Sequence, residues 1–176
     1  LAMSSEGWKT YKLGEVAEIV GGGTPSTTNS DFWGGDIPWL TPRDLSITED
    51  RFVSHGERNI TQLGVENSSA KLLPAGTVLL TTRAPIGYLA IANNAICTNQ
   101  GFKSLIPNSR VVDGLFLYYL LKNNVGYLKS VGVGTTFAEI SGGVLKQIEF
   151  DFPELSVQYQ IAEILSALDD KIEQIG

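Results

Sequence analysis

Sulfur, imidazole and positive charge are all scarce in this chain. Cys97 is the single cysteine among 176 residues, which excludes an internal disulfide and any metal site built from several thiolates, and suits a reducing, cytoplasmic setting. His55 is the single histidine; it sits in a polar stretch beside Gly56 with no partner in view to orient it as a base. No run approaches the roughly 20 apolar residues of a membrane span, and the first residues lack a basic start followed by an apolar run. Neither secretion nor membrane insertion is therefore expected. Lys and Arg number 13 against 19 Asp and Glu, a net charge of -6. That balance argues against nucleic acid as a partner for the surface as a whole, although a net charge sums over all faces and a basic face coexists readily with an acidic one.

What is present is a folding chain. A hydrophobic content of 43% with 18% charged residues is ordinary for a globular protein, and the length suits one domain with an appendage. Residues 1–7 read as a leader or cloning remnant, 8–153 as the domain and 154–176 as a helix. Apolar positions from Trp8 to Val20 suggest a strand, a helical turn and a strand. Gly21-Gly22-Gly23-Thr24-Pro25-Ser26 then interrupts regular structure, since the glycines are flexible and Pro25 donates no hydrogen bond. Asn29 to Asp36 continues as loop, Ile37 to Leu40 reads as a short edge strand because of Pro38, and Thr41 to Asn67 as a long irregular surface region. Thr77 to Thr82 and Tyr88 to Ala92 predict a hairpin around Ala84-Pro85-Ile86-Gly87. Strands are expected at Ala95–Thr98 and Phe102–Ile106 around a polar bend. Val112, Leu115, Phe116, Tyr119 and Leu120 recur at helical spacing within 111–123, a second helix follows at 125–131, and Ile148 to Phe152 alternates like a strand. The fold class is α/β, mixed α+β.

At the C-terminus Ile161, Leu165, Leu168, Ile172 and Ile175 fall at intervals of 4, 3, 4 and 3, the apolar seam of a coiled coil, with Asp169, Asp170, Lys171 and Glu173 left outside it. A lone helix of this length is marginal in water, so the seam needs cover, from a partner helix or from the domain's own core. The stripe runs to within one residue of the last, as it would if a longer helix had been cut.

No autonomous chemistry is legible. Neither Gly21-Gly22-Gly23 nor Gly132-Val133-Gly134 leads into the lysine of a phosphate loop, and Phe137 stands where a dinucleotide fingerprint needs its third glycine. Cys97 beside Ile96 suits an inert core thiol. The loop carboxylates Asp31, Asp36, Asp44, Glu49 and Asp50 show no spacing that marks a pair, and no Pro-Pro occurs for an adenine methyltransferase motif.

Several runs in order resemble the target-recognition region of a type I restriction-modification specificity subunit. They are Trp8-Lys9 with Leu13-Gly14-Glu15, Gly22 to Ser26, Ile37 to Asp44, Leu79 to Gly87, Thr98 to Lys103, Gly134 to Ser141, and Ile161 to Leu165 with Leu168-Asp169. The resemblance spans nearly the whole chain. It implies a non-catalytic module that reads one half of a split site in double-stranded DNA and docks on methyltransferase (modification) subunits. Those subunits carry S-adenosylmethionine, and a motor subunit performs cleavage; this chain itself would hold no cofactor. The helix would be a spacer, pairing with a second recognition domain or a second copy of the chain. The alternative is an interaction domain that assembles a cytoplasmic complex through its helix, with no nucleic acid.

On those segments the resemblance invites DNA contacts. Arg83, at the hairpin bend, carries the guanidinium fork that suits guanine or phosphate, or else ties the turn to a carboxylate. Asn99, Gln100 and Lys103 cluster on the next bend, where amides read bases or satisfy the turn. Thr24, Ser26, Thr41 and Arg43 offer phosphate contacts, against plain turn chemistry for Thr24-Pro25-Ser26. Thr135 joins them from the glycine-threonine loop.

Overall fold

The computed structural model describes residues 6–132 and 138–175. Strand β1 (Lys9–Lys12), the single turn α1 (Leu13–Val16) and β2 (Ala17–Gly21) follow one another as expected. Leu13 and Val16 go into the core, while the Glu15 carboxylate accepts the Lys12 N–H at 2.7 Å and closes the turn.

After a 3-10 turn at Ser30–Phe32, β3 runs Trp33–Leu40, longer than predicted and not at an edge. It lies antiparallel to β5 on one side and parallel to β8 on the other. A bulge breaks the β3–β5 register between Trp33 and Ile37, and Pro38 follows it in register opposite Asn59. The stretch predicted to be irregular holds α2 (Pro42–Ser46), β4 (Phe52–Val53), β5 (Arg58–Ile60) and α3 (Gln62–Glu66). Local side chains build these short pieces: Asp44 accepts the Thr41 N–H at 2.7 Å ahead of α2, and Thr61 Oγ1 accepts the Gly64 N–H at 3.0 Å in α3. Both are N-terminal caps.

The hairpin is β6 (Val78–Leu80) and β7 (Leu89–Ala92). Strands β8 (Cys97–Thr98) and β9 (Lys103–Pro107) part into different sheets, the bend between them joining the two. Helix α4 (Gly114–Asn123) begins three residues later than predicted, where Asp113 accepts the Phe116 N–H. There follow α5 (Val125–Val131), an unpredicted α6 (Gly142–Gln147) capped by Ser141, β10 (Glu149–Phe152) and α7 (Leu155–Ile175). Residues 133–137, with Thr135, lie outside the described residues.

The five-stranded sheet has the order β2-β9-β6-β7-β4, beside a three-stranded sheet β5-β3-β8 and the pair β1-β10. Alternation along the central strands buries both faces. Val78, Leu80, Ile91 and Leu105 meet α4 in the larger core, while Leu79, Ala90 and Ala92 meet Leu40, Leu45 and Phe102 on the other side. Strands buried on both faces read as continuous apolar runs, which is why this hairpin was legible.

The terminal helix α7 lies across α4. Ala162 is buried, Ile161 and Leu165 pack against the larger core, and Gln158 is spent on three backbone groups. Its amide oxygen accepts Asp113 N–H at 2.9 Å, and its nitrogen donates to Val111 and Pro153 carbonyls at 3.1 and 3.0 Å. The apolar seam is thus divided: its first half is covered by the domain itself, whereas Leu168, Ile172 and Ile175 remain exposed. Among the described residues no helix is long and apolar enough to cross a membrane.

Cys97 lies fully buried on β8, and burial pushes its thiol from an ordinary 9.0 up to about 11. Burial, with a hydrogen bond to Asp169, likewise pushes Tyr119 from 10.0 up to about 12. Both groups are acids with raised folded values, so their contribution to stability is complete below about pH 9 and is lost as pH rises toward 12. Chemical denaturation should therefore give a constant unfolding free energy from neutrality to about pH 9 and a decline above it. Cys97→Ala should remove the earlier part of that decline, and a curve unchanged by the substitution would contradict the assignment.

Candidate nucleic-acid interface

The glycine-rich turn after β2 is shaped by close approach. A Cβ on Gly22 would stand 2.5 Å from the Thr98 carbonyl oxygen and closer still to Asn99 O, and one on Gly23 would stand 2.5 Å from the carbonyl carbon of Ser69. Such distances let the Gly23 N–H donate to the Thr98 carbonyl at 3.0 Å. Two indoles then hold the turn at both ends. Trp39 Nε1 donates to the Gly23 carbonyl at 2.9 Å and Trp33 Nε1 to the Ser26 carbonyl at 3.0 Å. The indoles meet edge to face, 5.0 Å between centroids.

The β8–β9 bend sits against this turn, and several predicted residues converge on it. Thr24 Oγ1 donates to the exposed Gln100 amide oxygen. Asn99 Oδ1 accepts the Gly101 N–H at 2.8 Å, so this amide oxygen serves the bend. The Gly101 carbonyl accepts the Thr82 and Arg83 N–H groups at 2.9 and 3.4 Å, which brings the hairpin tip alongside. Pro42 closes the other flank, its ring 3.0 Å from where a Gly101 Cβ would lie. Thr41, just before it, is occupied with the Asp44 carboxylate, and Arg43 beyond it is exposed. Ser26 Oγ lies 3.0 Å from Thr28 Oγ1.

Charge on this face is held in check by one acid. Arg83 Nη2 donates to Glu139 Oε1 at 3.2 Å, and Lys103 Nζ lies 4.0 Å from the same oxygen. Arg83 and Glu139 also form a backbone bridge. The carboxylate alternative raised for Arg83 is therefore real, and the pair is half exposed, where an ion pair is weak and readily exchanged for another anion. No reactive constellation accompanies these groups: among the described residues none of the His, Cys, Asp and Glu side chains are grouped to hold a metal, and His55 Nδ1 meets only Ser54 Oγ.

Two arginines of this architecture escaped sequence reasoning because they lie in the stretch without periodicity. Arg58 stacks over Trp33, 3.6 Å from guanidinium carbon to ring centroid. Arg51, buried, grips α7. Tryptophans facing an arginine on a paired strand would have signalled Arg58, had the pairing of β3 with β5 been visible.

A family model described as the type I restriction modification DNA specificity domain matches residues 5–176. The chain is 48% identical over 168 residues to the type I restriction enzyme MjaIX specificity subunit of Methanocaldococcus jannaschii, across 94% of this chain and 39% of that one. Its fold is similar to the HsdS subunit from Thermoanaerobacter tengcongensis, with TM-score 0.71 and 27% identity over 98% of this chain and 40% of that one. It is similar also to a chain from a structure of the type I restriction-modification system concerned with complex assembly and conformational transition, with TM-score 0.75 and 27% identity over 99% of this chain. The chain thus spans about two fifths of the length of these proteins.

Proposed function

This chain belongs to the type I restriction-modification DNA specificity family, and we propose that it is the part of a cytoplasmic specificity subunit that reads one half of a bipartite site in double-stranded DNA. The observation that carries the reading is the convergence of the Gly22–Ser26 turn, the β8–β9 bend and the Arg83 hairpin tip on one face. Hydroxyl, amide, guanidinium and ammonium groups stand there over backbone locked by buried hydrogen bonds. Fixed donors and acceptors on a rigid support suit base and phosphate recognition, since each misplaced hydrogen bond discriminates against the wrong partner.

In this reading the chain does no chemistry of its own. Methyltransferase subunits docked on it supply S-adenosylmethionine, and a motor subunit performs cleavage. The exposed Leu168, Ile172 and Ile175 support a pairing of α7 with the helix of a second recognition domain or a second copy. An interaction domain without nucleic acid is not favoured, because the matching family model is one of DNA specificity.

Fluorescence anisotropy with duplex DNA across a salt series tests the reading. Log affinity should fall linearly with log salt, and Arg83→Ala should weaken binding on the order of tenfold and reduce the slope by about 0.9, the share of one phosphate contact. Glu139→Gln should strengthen binding by releasing Arg83 and Lys103. Affinity indifferent to salt and to both substitutions would contradict the proposed face.

A further inference from the structure

Arg58 is arranged differently from every other cation on this face. Its guanidinium carbon lies over the Trp33 ring, 3.6 Å from the centroid, and 5.8 Å from that of Trp39. Among the described residues no carboxylate pairs with it, whereas Arg83 and Lys103 share Glu139. The residue is exposed, so its donors open to solvent. An unpaired surface arginine is ordinarily free to swing; stacking on an indole removes that freedom and fixes the plane of the fork.

Its support is fixed in turn. Arg58 is opposite Trp39 in the β3–β5 register. The preceding residue is fastened to α2, where Asp44 Oδ1 accepts the Glu57 N–H at 3.0 Å. Trp33 is immobilised by its bond to the Ser26 carbonyl, which puts the guanidinium beside the same turn that carries Thr24.

The geometry points to Arg58 as a base-reading residue, its preset fork meeting the paired O6 and N7 acceptors of a guanine from the major groove. This rests on the DNA-reading role proposed above. A phosphate is served well by a mobile cation, whereas a fork held in one plane on a tryptophan face gains chiefly in discrimination, because the bidentate match to guanine is planar and directional.

The test uses the complete specificity subunit assembled with its modification subunits, on a duplex carrying its site and on a scrambled duplex of equal length. Arg58→Gln should lower affinity for the site by about tenfold to a hundredfold, with little change on the scrambled duplex. Arg58→Lys, which keeps the charge and loses the fork, should do nearly the same. Replacing guanines of the half-site one at a time by 7-deazaguanine should identify one position that weakens the unaltered protein and no longer weakens Arg58→Gln. Thermal melting confirms that the variants fold.

An equal loss on both duplexes with a shallower salt slope would overturn the inference and assign Arg58 to a phosphate. Unchanged discrimination in both variants would overturn it as well. If the unaltered complex itself fails to distinguish the two duplexes, the DNA-reading role fails first and takes this inference with it.

Discussion

Gly22→Ala should be among the most damaging single-methyl additions available to this protein, destabilising it by about 3 kcal/mol and abolishing binding at the proposed face. The new Cβ would meet the Thr98 carbonyl oxygen at 2.5 Å and Asn99 O inside that distance. Both are backbone atoms, so no rotamer change relieves the overlap and one of the two segments has to move. Movement breaks the bond between Gly23 N–H and Thr98 O, loosens the buried bond from Trp39 to the Gly23 carbonyl, and separates Thr24 from Gln100. Gly21→Ala is the internal control. Its nearest neighbours are methylenes and the amine of Lys103 at 3.8 to 3.9 Å, ordinary contact, and the effect should stay within about 1 kcal/mol. Urea unfolding of the two variants side by side decides the matter, and equal stabilities would refute the close-approach account.

Arg51→Ala should release the second half of α7 while leaving the first half seated. Arg51 Nη1 donates to the Tyr119 hydroxyl at 3.3 Å, to the Ser166 carbonyl at 3.2 Å and to Ser166 Oγ, and Nη2 pairs with Asp170. Glu173 lies 3.9 Å from Nε. Tyr119 continues the latch by donating to Asp169 at 2.6 Å. Burial works against the cation, yet bonding and attraction from Tyr119 and Asp170 outweigh it and hold Arg51 above its ordinary value. The side chain of Arg51 is 8% exposed and that of Asp170 56%, so the two truncations are unequal. Without Arg51 the carboxylates rehydrate, and about 2 kcal/mol of stability goes with the lost bonds. Without Asp170 a buried cation is left undercompensated, which typically costs about 3 kcal/mol or more unless Glu173 closes in. Hydrogen exchange should quicken from Ser166 onward in Arg51→Ala and stay slow from Leu155 to Leu165, where Gln158, Ile161, Ala162 and Leu165 still hold the helix. Uniform exchange along α7 in the variant would show that Arg51 does not govern it.

The elements legible in the sequence were those whose side chains repeat with a period or form an unbroken apolar run. The first strand-turn-strand, the β6–β7 hairpin, α4, α5, β10 and α7 appear close to where expected, with α4 starting three residues late. The stretch from Thr41 to Asn67 was opaque for a physical reason: its pieces are two to five residues long, too short for periodicity. They owe their form to caps and to remote strands, β4 pairing with β7 and β5 with β3. Helix α6 hid behind Gly142-Gly143, poor helix formers that Ser141 nonetheless caps. The candidate site was half legible. Thr24, Asn99, Gln100, Lys103 and Arg83 meet on one face, although Asn99 and Thr41 have their oxygens committed to the local backbone and to Asp44.

By itself the sequence determined that the chain folds as a mixed α/β structure ending in a helix with an apolar seam, because burial patterns are local in the chain. Tertiary structure alone decided that the glycines serve close approach, that Glu139 restrains Arg83 and Lys103, and that the seam is half covered by the domain. It alone showed Arg58 to be held on Trp33 and Arg51 on α7. Each of these joins segments tens of residues apart, and a contact between distant segments leaves no periodic trace in one sequence.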